Sequence, residues 1–242
     1  MRTFKEYKKG KEVAVGKIPM AIHFKHTDNS GEIPAAIHFK HVKEEAPRRV
    51  GDINAWKDTN ENGHVGHTNA TIRKKLTKGH NVSDEEKNHI SRYTSSSRSL
   101  NKKLIDNEDL PGPHRATAEA LDSAINKNPI KHTLHVYSGL GFDPEEHVDK
   151  EGKVRSPAYI SATHDKDTAY SFATQYRGVH HFAKITLHPG DPAIHVSPYS
   201  KNPHEDETII KRGVTLQHNG HSDYTDPEGF KYRVHHMSIA KD

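Results

Sequence analysis

The sequence contains no cysteine. That excludes disulfides, a thiol nucleophile and thiolate-held metal, and it suits a reducing compartment or a chain that must unfold for transport. It also lacks any run of about 18 apolar residues, so no transmembrane helix is expected. Met1 to Gly10 has no apolar stretch of the secretory kind, so no signal peptide is expected either. Core-forming material is scarce: 31% of the 242 residues are apolar, 7% are aromatic and a single Trp is present. The mean hydropathy is −0.94. Such a chain fits one domain of modest core with appendages. Charge of one sign is lacking too, since 36 Lys and Arg face 32 Asp and Glu for a net +4. The 22 His add positive charge as pH falls toward their reference value of about 6.5. The pairs Lys8-Lys9, Lys74-Lys75 and Lys102-Lys103 have no interleaved aromatic residues, so nucleic acid is not an expected partner.

What is present begins with a direct repeat. Ile18-Pro19-Met20-Ala21-Ile22-His23-Phe24-Lys25-His26 returns as Ile33-Pro34-Ala35-Ala36-Ile37-His38-Phe39-Lys40-His41, with Asn29-Ser30-Gly31 between. Alternation from Ile22 and Ile37 predicts a short hairpin or a loosely ordered tail over residues 1–46. Residues 47–82, rich in Asn, Gly, His and Lys, read mainly as irregular connection. Ser83 followed three residues later by Glu86 predicts a capped helix carrying Ile90, Tyr93 and Thr94. A second helix is expected from Arg98 to Ile105. Pro111-Gly112-Pro113 interrupts, and a third runs from Arg115 to Ile125. Strands are then expected at Leu134–Tyr137, Ala158–Thr163, Phe182–Leu187, Ala193–Val196, Glu207–Lys211 and Lys231–His236, with a helix over Asp165–Tyr176. Helices first and strands later predict an α+β domain over 47–242, helical at about 80–130 and sheet at about 131–242.

Three segments carry the chemistry in order: Ser161-Ala162-Thr163 closing a strand, Glu205-Asp206-Glu207 opening another, and Arg212-Gly213 ending it. Together with Tyr93-Thr94 and Leu100-Asn101 upstream, they resemble the arginine-directed branch of the mono-ADP-ribosyltransferases over residues 80–235. Injected enzymes of tailed phages are similar in style. The resemblance implies a split, mainly antiparallel β-sandwich with an NAD cleft, NAD as co-substrate, and an acceptor protein modified on arginine. It also implies action in the cytoplasm of a bacterial host, after carriage in a virion or delivery as an effector. Glu207, Glu205 and Ser161 are then the catalytic candidates, and Ser161, Thr163, Tyr93, Ser138 and Gly139 the NAD-binding ones.

These residue types suit the reaction. Breaking the nicotinamide glycosidic bond develops positive charge on the ribose, which Glu207 would stabilise. An arginine acceptor is a protonated guanidinium and needs a base such as Glu205. Spacing of i and i+2 on a strand would turn Glu205 and Glu207 to one side, and Ser161 and Thr163 likewise.

One departure stands out. The family has an arginine before the glycine that ends its first strand, where this chain has Ser138. Another cation among Arg92, Arg98, Arg115 and Arg155 replaces it, or the strand aligns differently, or activity is lost; His135 would face the opposite way. No metal is expected. His64-x-x-His67, His180-His181 and His235-His236 come without a His-Glu-x-x-His motif. Gly139-Leu140-Gly141 lacks the third glycine of a dinucleotide fingerprint, which disfavours a doubly wound nucleotide fold.

Overall fold

The protein is described here by a computed structural model covering residues 51–52, 69–174 and 179–241. The repeat, His64, His67, Lys8-Lys9 and the end of the helix expected to reach Tyr176 lie outside the described residues. After a two-residue strand, four helices follow in succession: α1 (Asn69–Thr77), α2 (Asp84–Ser95), α3 (Arg98–Ile105) and α4 (Gly112–Lys127). α1 falls where the sequence reads as irregular connection.

The start of α2 is fixed by a reciprocal capping box. The Ser83 hydroxyl accepts from the Glu86 amide, and the Glu86 carboxylate accepts from the Ser83 amide. Such a cap contributes about 1 kcal/mol. α4 begins at Gly112, earlier than expected, because Pro113 fits a first helical turn in which no intrahelical N–H bond is required.

The strands are β1 (Gly51–Asp52), β2 (Leu134–Leu140), β3 (Lys153–Arg155), β4 (Ile160–Thr163), β5 (His180–Leu187), β6 (Ala193–His195), β7 (Glu207–Ile210), β8 (Thr215–Thr225) and β9 (Lys231–Ile239). α5 (Lys166–Ala173) joins β4 to β5. They form one mixed sheet in the order β1-β8-β9-β5-β2-β4-β7-β6, with β3 added against β8. Only β1 with β8 and β5 with β9 pair in parallel. Architecture is therefore α+β with a mostly antiparallel sheet, as expected. β3 and the long β8 are additions to the sequence reading.

The sheet is nearly split. β2 and β4 share a single register pair, Tyr137 with Thr163, whereas β4 and β7 pair over four residues and β2 and β5 over seven. A side-chain bond helps close the seam, with the Ser138 hydroxyl donating to the Ser161 carbonyl at 3.0 Å.

Three apolar clusters hold the layers. α2 and α4 pack Ile90, Tyr93, Leu121 and Ile125 against Tyr159, Ile194 and Ile209 on one part of the sheet. Ala169 and Ala173 of α5 pack with Tyr137, Phe182, Tyr232 and Val234. Leu134, Val136, Ile160, Ile185 and Ile210 fill another face. Gly139 is required by α5. A Cβ there would lie 2.5 Å from the Ala173 amide nitrogen and 2.8 Å from the Ala169 carbonyl, so only glycine permits the helix to approach.

Candidate active site

The seam between β2 and β4 opens into a cleft lined by Tyr137, Ser138, Gly139, Ser161, Thr163 and Glu207, with Thr168 and Phe172 of α5 and Glu205 at its edge. Register explains the convergence. Tyr137 pairs with Thr163 and Thr163 with Glu207, so the three side chains leave the sheet on one face.

Glu207 is the most constrained of them. Its residue is 3% exposed, and neither carboxylate oxygen makes a hydrogen bond to a described group. Burial pushes its pKa from the ordinary 4.5 up to about 7. The Ser161 hydroxyl pulls against that rise, and the charge of Glu205 adds to it.

Ser161 is oriented from behind. The Tyr93 phenol lies 3.3 Å from its hydroxyl, and the Asn101 amide donates both to that phenol at 3.1 Å and to the Tyr159 carbonyl at 3.2 Å. Tyr93 is itself buried, which pushes its pKa upward; the nearby Glu207 charge adds to the rise. Tyr93 thus backs the cleft instead of lining it, one hydroxyl removed from Glu207. Thr163 closes β4 and starts the next element, its hydroxyl accepting from the Asp165 amide at 2.9 Å.

The acidic triplet differs from a simple strand alternation. Glu205 ends a 3-10 turn, Pro203–Glu205, and only Glu207 belongs to β7. Between them Asp206 has φ of 50°, a left-handed conformation that an aspartate tolerates better than most residues. Glu205 and Glu207 therefore both reach the cleft, but from different depths. Glu205 is partly buried, and that burial raises its pKa. Asp206 turns inward, fully buried, where it pairs with Arg73 of α1 and lies 3.5 Å from His164.

Arg212, which ends the β7 segment, points elsewhere. Its guanidinium donates twice to Asp122 of α4, at 3.0 and 2.8 Å, and Asp122 also accepts from the Tyr159 phenol. It locks the sheet to the helical layer.

Arg92, Arg98, Arg115 and Arg155 are exposed and absent from the cleft lining. Among the described residues, Lys166, buried at the start of α5, holds its ammonium 5.2 Å from the centre of the ring of Tyr137, a residue that lines the cleft. Sequence reasoning missed Lys166, Arg73, Tyr137 and Phe172. The helix expected over Asp165–Tyr176 already puts Lys166 in its first turn, which the Asp165 cap fixes, but nothing local in the sequence brings that turn against Tyr137.

Residues 65–241 match the family model described as ADP-ribosyltransferase exoenzyme. Among curated proteins none matches the sequence. Solved structures share the fold. Plx2a, an ADP-ribosyltransferase toxin from Paenibacillus larvae, is 16% identical with a TM-score of 0.58, covering 71% of this chain and 96% of its own. The C3 exoenzyme of Clostridium limosum is 18% identical with a TM-score of 0.56, covering 71% and 93%. C3stau2 from S. aureus, solved with NAD, is 18% identical with a TM-score of 0.57, covering 73% and 98%. With the family model spanning most of its length, this chain belongs to the ADP-ribosyltransferase exoenzyme family, whose members are transferases that use NAD.

Proposed function

We propose that the chain transfers ADP-ribose from NAD to an arginine side chain of a bacterial host protein, with Glu207 as the catalytic carboxylate. The observation that carries this reading is the Glu207 carboxylate, buried in the cleft, approached by the Ser161 hydroxyl without a closed hydrogen bond, and with its pKa raised to about 7. A buried carboxylate so thinly supported costs free energy unless a cationic ligand completes it. When bound, NAD supplies a cationic nicotinamide and a glycosidic bond whose cleavage builds positive charge on the ribose. Glu207, itself 3% exposed, favours that charge increasingly as it grows.

The remaining residues divide the work. Ser161, held by Tyr93, favours the charged form of Glu207. Thr163 keeps its hydroxyl proton free to donate, since its oxygen accepts from Asp165. Tyr137, Gly139 and Phe172 form the walls against which a nicotinamide ring would pack. Lys166 takes over the phosphate-directed charge that Ser138 cannot supply, and Ser138 instead ties β2 to β4. Glu205, at the edge of the cleft with its pKa raised by burial, orients an acceptor guanidinium and takes its proton. Two carboxylates at two depths serve two substrates.

Ser138 also favours a second reading, an inactive module that keeps the fold and binds a partner. Incubation with labelled NAD and a bacterial lysate, beside a Glu207→Gln control, separates the two. Protein-bound label that is released by hydroxylamine and absent with Glu207→Gln supports the arginine transferase. Free nicotinamide without label makes the chain an NAD glycohydrolase. Neither product at high enzyme and NAD makes it a binding module.

A further inference from the structure

The sheet face opposite the cleft carries a second concentration of ionisable side chains. His181 of β5 and His235 of β9 project there, since His181 pairs with Arg233 and Ala183 with His235 in the parallel ladder. His221 pairs with His235 and Asp223 with Arg233 across β8. Asp143 and Glu145, in the loop after β2, close over them. Tyr137 and Phe182, by contrast, face α5.

We propose that Asp143, His181 and His235 bind a divalent transition-metal ion such as zinc, stapling the loop after β2 to β5 and β9. Three candidate donor atoms converge: His181 Nδ1 lies 3.0 Å from His235 Nε2, Asp143 Oδ1 lies 3.6 Å from His235 Nε2, and Asp143 Oδ1 lies 4.0 Å from His181 Nδ1. Nitrogen and oxygen ligands at about 2.0–2.2 Å in a tetrahedron are separated by roughly 3.3–3.6 Å. The triangle brackets that value; its two edges to the carboxylate are too long for hydrogen bonds, and the His181–His235 edge is a hydrogen bond of ordinary length that an ion between the rings would replace.

The surroundings suit the ion. His235 Nδ1 lies 3.1 Å from His218 Nε2, so with the proton on Nδ1 its Nε2 lone pair points at the site. Arg233 donates to Asp143 Oδ2 at 3.3 Å and leaves Oδ1 toward the histidines; Oδ1 also accepts from the Glu145 amide at 3.0 Å. The His235 ring is buried and that of His181 largely so, and a neutral imidazole is the metal-binding form. Asp143, Glu145 and Asp223 face the single guanidinium of Arg233, so a divalent cation would balance local charge. His181 and Asp143 side chains are 14% and 20% exposed, which leaves an entry path and room for a water as fourth ligand.

The neighbouring group Glu145, His221 and His235 is less apt. Glu145 Oε1 and His221 Nδ1 are 2.5 Å apart, a closed hydrogen bond and too short an edge for two ligands of one ion.

The test uses the full chain, dialysed against a chelator and titrated with cobalt(II). One equivalent with the intense visible absorption of tetrahedral cobalt is expected, displaced by zinc. His181→Gln and Asp143→Asn should each weaken that equivalent by at least about tenfold, while His221→Gln retains it. Nicotinamide release and circular dichroism should stay unchanged in both ligand variants, and if one fails to fold the other carries the test. No tetrahedral signature in the wild type, or a signature equally strong in the folded ligand variants, overturns the proposal. So does a signature lost only in His221→Gln.

Discussion

Replacing Glu207 by glutamine should abolish turnover and leave a protein that gains stability relative to wild type as pH rises. The folded chain holds this carboxyl at about 7 against an ordinary 4.5, so the folded state prefers the protonated form. Stability from that preference is fully present below the unfolded value, declines as pH rises and is gone above the folded one. A gap of 2.5 between those values, at about 1.4 kcal/mol for each, is worth roughly 3 kcal/mol. Glutamine is nearly isosteric and does not ionise. Its own cost of burial shifts all pH values equally and cancels in the comparison. The stability of Glu207→Gln relative to wild type should therefore rise by about 2–3 kcal/mol between pH 5 and pH 8.5. Urea unfolding at the two pH values measures this. In a thermal melt at pH 8.5 the same difference is worth roughly 5–10 °C. A gap that does not widen with pH, or widens in the opposite sense, refutes the assignment of Glu207 as a carboxylate strained by burial. The same ionisation should appear in activity: nicotinamide release at low NAD should rise with pH through about 7, because the charged form is the working one.

Glu205→Gln should depress transfer to arginine at least about tenfold more than it depresses NAD hydrolysis; equal losses, read as labelled protein against free nicotinamide, would remove Glu205 from the acceptor side. Lys166→Met should raise the KM for NAD with a smaller change in kcat, and Lys166→Arg should restore most of the loss; a defect in both variants alike, measured by initial rates, would mark Lys166 as packing only. Arg73→Met should cost about 3 kcal/mol in urea unfolding, because it leaves the buried Asp206 carboxylate without its cation, and adding Asp206→Asn should recover part of it.

Much of this fold is visible in local sequence chemistry where one signal dominates. Ser83 and Glu86 mark the start of α2, and the bounds of α3 agree with the expected Arg98 to Ile105. β8 was not visible, because Thr215–Thr225 is almost wholly polar, with Leu216 its one aliphatic residue. It is a strand because β9 pairs along its length and β3 and β1 pair with parts of its other edge, and its polar side chains meet polar partners across the sheet. Its ladder slips between His218 and His221, where Gly220 has φ of 93°, so strict alternation is broken as well. At the site, the residue types at Ser161, Thr163, Glu205 and Glu207 were legible and all four line the cleft. The route by which Glu205 arrives was not. Strand alternation cannot foresee a left-handed Asp206, whose carboxylate pairs with a cation 133 residues away in the chain.

That cation redraws the unit that must be kept whole. Composition alone places a cut near residue 80, where it reads as polar connection giving way to helix, but α1 and its Arg73 would be discarded. The shortened chain would retain every residue of the cleft and lose the counterion beneath it, with Asp206 free to pull the backbone between the two glutamates out of shape. A fragment designed for expression, or a fusion joint, therefore belongs upstream of Asn69.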